Sequence, residues 1–167
     1  MTSIPPLLPE ETLARVLRVA RFDGLGVLVV VGLFSIVSAM AGDRAGAVFG
    51  LLIAAAGAIE LHGGGLLQHG DVRGMRWIIF SQPFLLLTIL VYCQYQLGNA
   101  DMAMFKSMLT AEQKAQIATL GMSVDEFVEF TKRFGLWAVG ITTVLYQGGM
   151  TIYYLRRRKA VAQALGE

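Results

Sequence analysis

Four long apolar stretches constrain this chain more than any other feature of its sequence. They run over residues 24–41, 45–68, 77–97 and 134–155, and each is long enough to cross a ~30 Å hydrocarbon core as a helix, which takes about 20 apolar residues. The chain of 167 residues is 55% hydrophobic, with a mean hydropathy of +0.59, more apolar than a soluble domain needs. The sequence therefore predicts an all-α integral membrane protein, a four-transmembrane-helix bundle forming a single membrane domain over 1–167.

The distribution of basic residues predicts the orientation, because cytoplasmic loops carry an excess of Lys and Arg. With the N-terminus inside, nine of the fourteen basic residues are cytoplasmic and five are not. We therefore expect a multi-pass protein of a bacterial plasma (inner) membrane, with both termini in the cytoplasm and a basic tail over 156–167. The residues expected to meet lipid headgroups are Arg73, Arg76, Arg156, Arg157 and Arg158.

Residues 10–22 are expected to form an amphipathic helix before the first span. Apolar residues recur at helical spacing on one side, and arginines lie on the other. The apolar set is Leu13, Val16, Leu17 and Ala20, and the basic set is Arg15, Arg18 and Arg21. This pattern predicts a helix lying on the cytoplasmic leaflet, with docking of a partner protein as the alternative. Prolines at positions 5, 6 and 9 should hold residues 1–9 extended.

The segment 98–133 is predicted to form a small helical extracytoplasmic cap. Two capping boxes, Thr110–Gln113 and Ser123–Glu126, predict helix starts, and Gly121 is placed to end a helix. After the second box, apolar residues keep helical spacing into the fourth span. One helix should therefore run from the cap into the membrane.

Residues Ser38–Ala41 resemble the small-residue cleavage site of a signal peptide, so removal of the first span is an alternative to its retention. The apolar run before this site is longer than a signal peptide usually has, and the acidic residues Glu10 and Glu11 precede it. We therefore expect the first span to be retained.

Small residues form a ridge along the second span. Gly46, Gly50, Ala54 and Ala58 repeat at every fourth position, which lets another helix approach closely. Membrane helices associate through such packing, because no hydrophobic effect drives them together in lipid. The second span is therefore predicted to lie at the centre of the bundle or at a subunit interface, and the same ridge fits either use.

Glu60 lies in an otherwise apolar run, on the cytoplasmic half of the second span. A carboxylate exposed to lipid at a helix centre costs about 2.5–3.5 kcal/mol, so this one should be protonated, face protein or water, or pair with a donor. The side chains expected at its depth are Ser81, Gln82, His62, Tyr153 and Tyr154. Such an acid is typical of a proton or cation site, and a structural hydrogen bond between helices is equally compatible with the sequence.

His62 and His69 are the other candidate binding residues of this region. On a continuous helix they lie about 10.5 Å apart, so they cannot hold one ion together or be opposite axial ligands of one haem. The glycines Gly63–Gly65 weaken the helix between them, and a break there would remove this argument. Each histidine could still pair with another helix or subunit, and a histidine satisfied by hydrogen bonds is the simpler interpretation.

Several classes of function are disfavoured by what the sequence lacks. A single cysteine excludes an intrachain disulfide, and the basic residues are too scattered for a nucleic-acid interface. No phosphate-binding glycine loop, nucleophile elbow or zinc spacing is found, so we expect no enzyme and no catalytic residue. No cofactor is implied strongly. Methionines between 102 and 122 could bind Cu(I), although an apolar face on the bilayer explains them equally.

The leading hypothesis is a non-enzymatic oligomeric membrane protein, a channel or small transporter. Its candidate binding residues are Glu60, His62, His69 and Gln82. The second hypothesis is an accessory or assembly subunit of a larger membrane complex, with the N-terminal helix and the cap as contact surfaces. The third is a haem- or metal-binding redox protein that uses either histidine. The expected partners are the lipid bilayer and copies of this chain or other membrane subunits, and not nucleic acid.

Overall fold

The computed structural model describes residues 8–99 and 102–167, apart from the side chain at position 104. Of the described residues 88% are helical and none lies in a strand, so the predicted all-helical class is confirmed. The helices are α1 (Pro9–Met40), α2 (Arg44–Gln68), α3 (Gly74–Asn99), α4 (Ala103–Met108), α5 (Ala111–Thr119) and α6 (Val124–Ala164).

Within the described part of the chain, three helices are long and apolar enough to cross a membrane, namely α1, α2 and α3. They contain the predicted spans 24–41, 45–68 and 77–97, and they support a multi-pass membrane protein. The fourth predicted span, 134–155, lies inside α6, which is not one of these three helices. The side-chain amide of Gln147 and the hydroxyl groups of three tyrosines and three threonines make this stretch less apolar than the others.

The first helix is continuous over 32 residues. The segment 10–22 is therefore helical and forms the first half of the helix that also contains residues 24–40. Its apolar face contacts protein, since Val16 and Ala20 are fully buried, while its three arginines are exposed. Pro9 is the first helical residue, where its missing N–H costs no hydrogen bond. The expectation for residues 1–7 falls outside the described residues.

The chain divides into two compact units, of which the first comprises Met1–Ile89 and Val144–Glu167. Its core contains side chains from α1, α2, α3 and α6. They are Val16, Ala20, Leu67, Met75, Ile78, Tyr154 and Val161. The helices α1 and α2 pack antiparallel, as two contacts between them show. Ser35, late in α1, donates a hydrogen bond from Oγ to the Ala47 carbonyl oxygen, early in α2, at 2.7 Å. Gly24, earlier in α1, lies against Gly57, later in α2.

The packed face of α2 follows the predicted ridge at Gly46, Gly50 and Ala54, all of which are buried, and leaves it at Ala58, which is exposed. A repeat of four residues drifts by about 40° per step on a helix of 3.6 residues per turn. A straight contact must therefore include steps of three residues. Gly57, three positions after Ala54, is buried. The packed face of α2 therefore continues through Gly57 and not through Ala58 as predicted.

The second unit is Leu90–Thr143, which contains α4, α5, the end of α3 and the start of α6. Its buried apolar residues include Ile117 and Val128. Lys132 donates a hydrogen bond to the Leu97 carbonyl oxygen at 3.3 Å, which satisfies one of the free carbonyl groups at the end of α3. Lys106 of α4 and Asp125 of α6 also form an ion pair at 2.6 Å, so polar as well as apolar contacts hold this unit together.

Both predicted capping boxes form in the second unit. Thr110 Oγ1 accepts a hydrogen bond from the Gln113 N–H, and the Gln113 side chain accepts one from the Thr110 N–H. Ser123 and Glu126 exchange the same pair of bonds at the start of α6. These bonds satisfy N–H groups that lack partners in the first turn of a helix.

We expect the start of α6 to loosen at low pH. The Ser123 N–H, followed by the Ser123 hydroxyl, holds the pKa of Glu126 below its ordinary value of 4.5. The folded-state pKa is the lower one, so this contact stabilises the helix above the unfolded pKa and is lost as pH falls through the folded pKa. Amide protection factors at residues 124–127 should therefore decrease below pH 4.5. Glu126→Gln, which removes the titrating carboxyl group, should abolish this pH dependence, and Thr110→Ala, which affects the other box, should leave it intact.

Candidate functional site

Glu60 occupies a fully protein-lined position in the first unit. Glu60 is only 1% exposed, although it belongs to a helix apolar enough to cross a membrane. Tyr154 of α6, which is completely buried, donates its hydroxyl hydrogen to Glu60 Oε1 at 2.7 Å. The carboxyl group thus faces a donor rather than lipid, as its cost in lipid requires.

A second acid, Asp23 of α1, meets Glu60 across the contact between α1 and α2. The two carboxyl groups interact directly, and Asp23 Oδ1 accepts a hydrogen bond from the Tyr146 hydroxyl at 3.0 Å. Asp23 Oδ2 is buried and has no hydrogen-bond partner within the described chain. Among the ion pairs found there, none involves either acid. One proton held between the carboxyl groups would supply the missing donor and remove the repulsion of two adjacent anions.

A close approach of two helix backbones brings these acids together. Gly24 follows Asp23, and Gly57 lies three positions before Glu60. A Cβ atom at Gly57 would lie 2.6 Å from the Gly24 carbonyl oxygen and 2.8 Å from the Leu28 nitrogen. Only glycine fits between backbones at this distance. The glycine contact therefore sets the separation of the two carboxyl groups.

Gln82 of α3 completes the surroundings of Glu60. It is fully buried and interacts with the Glu60 carboxyl group. Its Nε2 donates to Ser81 Oγ at 3.4 Å, whereas its Oε1 is buried and has no partner in the described part of the chain. Buried acceptors without a donor are uncommon, and this region has one on Asp23 and one on Gln82. The site is therefore rich in acceptor oxygens and short of hydrogen-bond donors.

A surface groove between α1 and α6 reaches Asp23. Its volume is about 360 Å³, and its lining residues are Arg18, Val19, Phe22, Asp23 and Tyr146. Asp23 is half-buried and lies in this lining, whereas Glu60 does not. The two acids thus differ in access, since only Asp23 lines the open groove.

The groove lies where the exposed apolar surface of the first unit ends. On α1, exposed large apolar side chains run from Phe22 to Met40, and none occurs between Pro9 and Arg21. On α3 they begin at Trp77, and on α6 the last is Leu155. Asp23 therefore lies at one limit of this apolar surface.

The two histidines lie apart from this cluster. His62 is exposed and packs edge-on against Trp77, with ring centroids 5.6 Å apart. The glycines Gly63–Gly65 do not interrupt α2, and His69 follows that helix with Nδ1 at 2.7 Å from the Gly65 carbonyl oxygen. No group of three or more His, Cys, Asp or Glu residues that could hold a metal occurs among the described residues.

The arginines expected at lipid headgroups are exposed with one exception. The exposed ones are Arg73, Arg76, Arg156 and Arg158. Arg157 is half-buried, and its guanidinium group lies 3.7 Å from the centre of the Tyr153 ring, a typical cation–π arrangement. The four exposed side chains are free to reach phosphate groups, whereas Arg157 is held on the protein.

Sequence reasoning missed Asp23 and Tyr146. Asp23 directly precedes an apolar run, where an acid is typical of an ordinary span boundary. The signal that could have pointed to it is a glycine near each acid, Gly24 beside Asp23 and Gly57 one turn before Glu60. A single sequence does not say which two glycines meet.

Chemically, this cluster can hold and release a proton, since it contains two carboxyl groups, two phenol donors and one amide within the first unit. Carboxyl groups that form no ion pair, as these two form none in the described chain, are typical of proton and cation sites in membranes. Comparison with protein-family models, with curated proteins and with solved structures finds no match for this chain.

Proposed function

We propose that this chain is a non-enzymatic membrane protein, a channel or small transporter, that moves protons or small cations through a site at Glu60. The acid pair carries this proposal. A structural glutamate needs a donor to fix it, which Tyr154 provides. A second, half-buried acid beside it, with one carboxyl oxygen buried, destabilises the fold unless a proton or cation occupies the pair. The presence of Asp23 is therefore explained by ion binding and not by structure alone.

In the proposed topology the segment 134–155 of α6 is the fourth span, and both termini lie in the cytoplasm. Large apolar side chains exposed along α6 as far as Leu155 support a lipid-facing segment. The limits of exposed apolar surface at Phe22 and Trp77 support a cytoplasmic membrane boundary at this level. The acid pair would then lie just inside the cytoplasmic boundary, and the segment 98–133 would form the extracytoplasmic cap.

The proposed partners are the bilayer and further copies of this chain. Gly64 and Gly65 of α2 and Gly148 and Gly149 of α6 have no neighbouring atom within 4 Å of an added Cβ. They leave flat positions where another helix could approach closely. Native mass measurement from mild detergent should therefore show more than one copy, and a chain that is always alone would contradict assembly.

We expect Glu60→Gln to stop ion movement. Wild-type protein in liposomes that contain a pH-sensitive dye should pass protons when a potassium diffusion potential is applied. The amide of the variant is close in shape to the carboxyl group and can still accept from Tyr154, but it cannot carry an exchangeable acid proton. Its flux should therefore fall to that of protein-free liposomes.

Glu10→Gln is the matched control, because Glu10 is an exposed acid of α1 outside the site. Its flux should equal that of wild type. Wild-type protein that passes neither protons nor sodium ions would refute the proposal.

A further inference from the structure

We infer that the transported ion is a proton and that it enters at Asp23 from the groove between α1 and α6, so that Asp23 passes it to Glu60. This inference rests on the proposed function. It adds the class of substrate, a second proton-binding residue and a route to the same site.

The ligands around the pair favour a proton over a metal ion. Hard metal cations are typically surrounded by about six oxygen ligands, and the described residues contain no cluster of three or more acidic, histidine or cysteine side chains. A proton needs one donor oxygen and one acceptor oxygen. Asp23 Oδ2 is a buried acceptor without a donor, and the neighbouring group is the Glu60 carboxyl. A proton on either carboxyl group supplies a hydrogen-bond donor to the other carboxyl group.

Of the two acids, only Asp23 is open to solvent, and Glu60 lies behind it. Glu60 is sealed by protein, with Tyr154 on Oε1 and the buried amide of Gln82 beside it. Asp23 lines the groove, and its partner Tyr146 is 51% exposed on the groove wall. A proton that travels from the groove to Glu60 therefore meets Asp23 first.

The transfer balances without any further reactant. Water or hydronium in the groove gives a proton to the Asp23 carboxylate, and an O–H bond forms on Asp23. That bond then breaks as the proton moves to the Glu60 carboxylate, which leaves Asp23 as the anion. The Tyr146 hydroxyl donates to Asp23 Oδ1, so a hydrogen-bond donor already faces the carboxylate that remains on Asp23.

Isotope exchange at Glu60 tests this order of residues. Full-length protein in liposomes is transferred from H2O to D2O, and the infrared carbonyl band that Glu60→Gln removes is followed as it shifts. Wild type should exchange fast. In Asp23→Asn the exchange should be about 100-fold slower, the lower end of what a positioned proton-transfer group contributes. Glu10→Gln should exchange like wild type, and a wild-type rate in a folded Asp23→Asn protein would overturn the inference.

Blocking the groove tests the route without altering a carboxyl group. Phe22→Cys, in a background with Cys93→Ala, places a thiol on the groove lining, where Phe22 is 74% exposed. Phe34→Cys is the control, because Phe34 is also exposed on α1 but does not line this groove. Attachment of a bulky maleimide should slow exchange at Glu60 in the first variant and not in the second. Equal rates in the two labelled proteins would overturn the route.

These outcomes separate the inference from the proposed function, because exchange is measured without transport. Proton flux together with exchange that does not depend on Asp23 would remove the inference and leave the function of Glu60. An inert wild type whose exchange does depend on Asp23 would remove transport and leave Asp23 as the proton entry residue.

Discussion

Gly57→Ala should destabilise the protein by about 1–3 kcal/mol, the usual cost of forcing an extra carbon into a packed interior. The added Cβ would meet backbone atoms of Gly24 and Leu28 at distances under 3 Å. Backbone atoms cannot avoid the added carbon by a change of rotamer, as a flexible side chain can, so α1 and α2 must separate. The loss should exceed the ~1 kcal/mol that alanine gains over glycine inside a helix.

Gly26→Ala supplies the matched control, because Gly26 also lies in a membrane-length helix and an added Cβ there has no neighbour within 4 Å. It should show only the gain in helix propensity and raise stability slightly. Reversible unfolding in detergent, followed by the loss of helical circular dichroism, measures both variants. Equal stability of the two alanine variants would mean that the α1–α2 backbones are not in contact at Gly57.

The consequence of Gly57→Ala for the site follows from the same contact. Separation of α1 from α2 would move Asp23 away from Glu60, so we expect proton exchange at Glu60 to slow, as we also expect for Asp23→Asn. A protein that is destabilised but exchanges at the wild-type rate would show that the acids meet independently of the glycine contact.

Tyr154→Ala should cost about 3–5 kcal/mol, the usual range for removing a large buried aromatic side chain. Tyr154 is completely buried in the core of the first unit, in the same cluster as Val16 and Val161. Tyr154→Phe keeps the ring and removes only the hydroxyl group that donates to Glu60. Because Glu60 then loses its donor in a buried site, we expect this smaller change to cost about 1–3 kcal/mol.

The neighbouring Tyr153 provides the control for Tyr154→Phe, because its hydroxyl group makes no hydrogen bond to Glu60. The Tyr153 hydroxyl is buried without a hydrogen-bond partner among the described residues, so Tyr153→Phe removes a group that is already unsatisfied. It should be neutral or slightly stabilising. Unfolding of the two phenylalanine variants compares the hydroxyl groups directly. A loss of stability in Tyr153→Phe as large as in Tyr154→Phe would contradict the assigned hydrogen bond.

Hydropathy alone predicted the three helices α1, α2 and α3 as long and apolar enough to cross a membrane, because the length of an apolar run depends on composition and not on packing. The starts of α5 and α6 were also predicted, since a capping box is a local motif of four residues in which the first and the fourth exchange hydrogen bonds. The continuity of α1 was not predicted. Its amphipathic first half fits a leaflet surface and a protein core equally well, and only tertiary contacts such as those of Val16 distinguish the two.

The site was predicted in part for a related reason. Glu60 stands out because an acid within an apolar run is costly in lipid, and Tyr154 could be named among its potential partners. Asp23 was missed because its pairing with Glu60 depends on where two helices cross, which one sequence does not specify. Ala58 was placed on the packed face by a repeat of four residues, whereas the helix turns every 3.6 residues and the contact passes to Gly57.

Proton flux through Glu60→Asp and Glu60→Gln, compared with wild type in the same liposomes, tests the central claim most directly. Glu60→Asp keeps an acid on a side chain that is one carbon shorter, so its flux should fall below that of wild type and stay above that of protein-free liposomes. Glu60→Gln should show no flux above protein-free liposomes. Wild-type flux in a folded Glu60→Gln protein would contradict the claim that protons move through this residue.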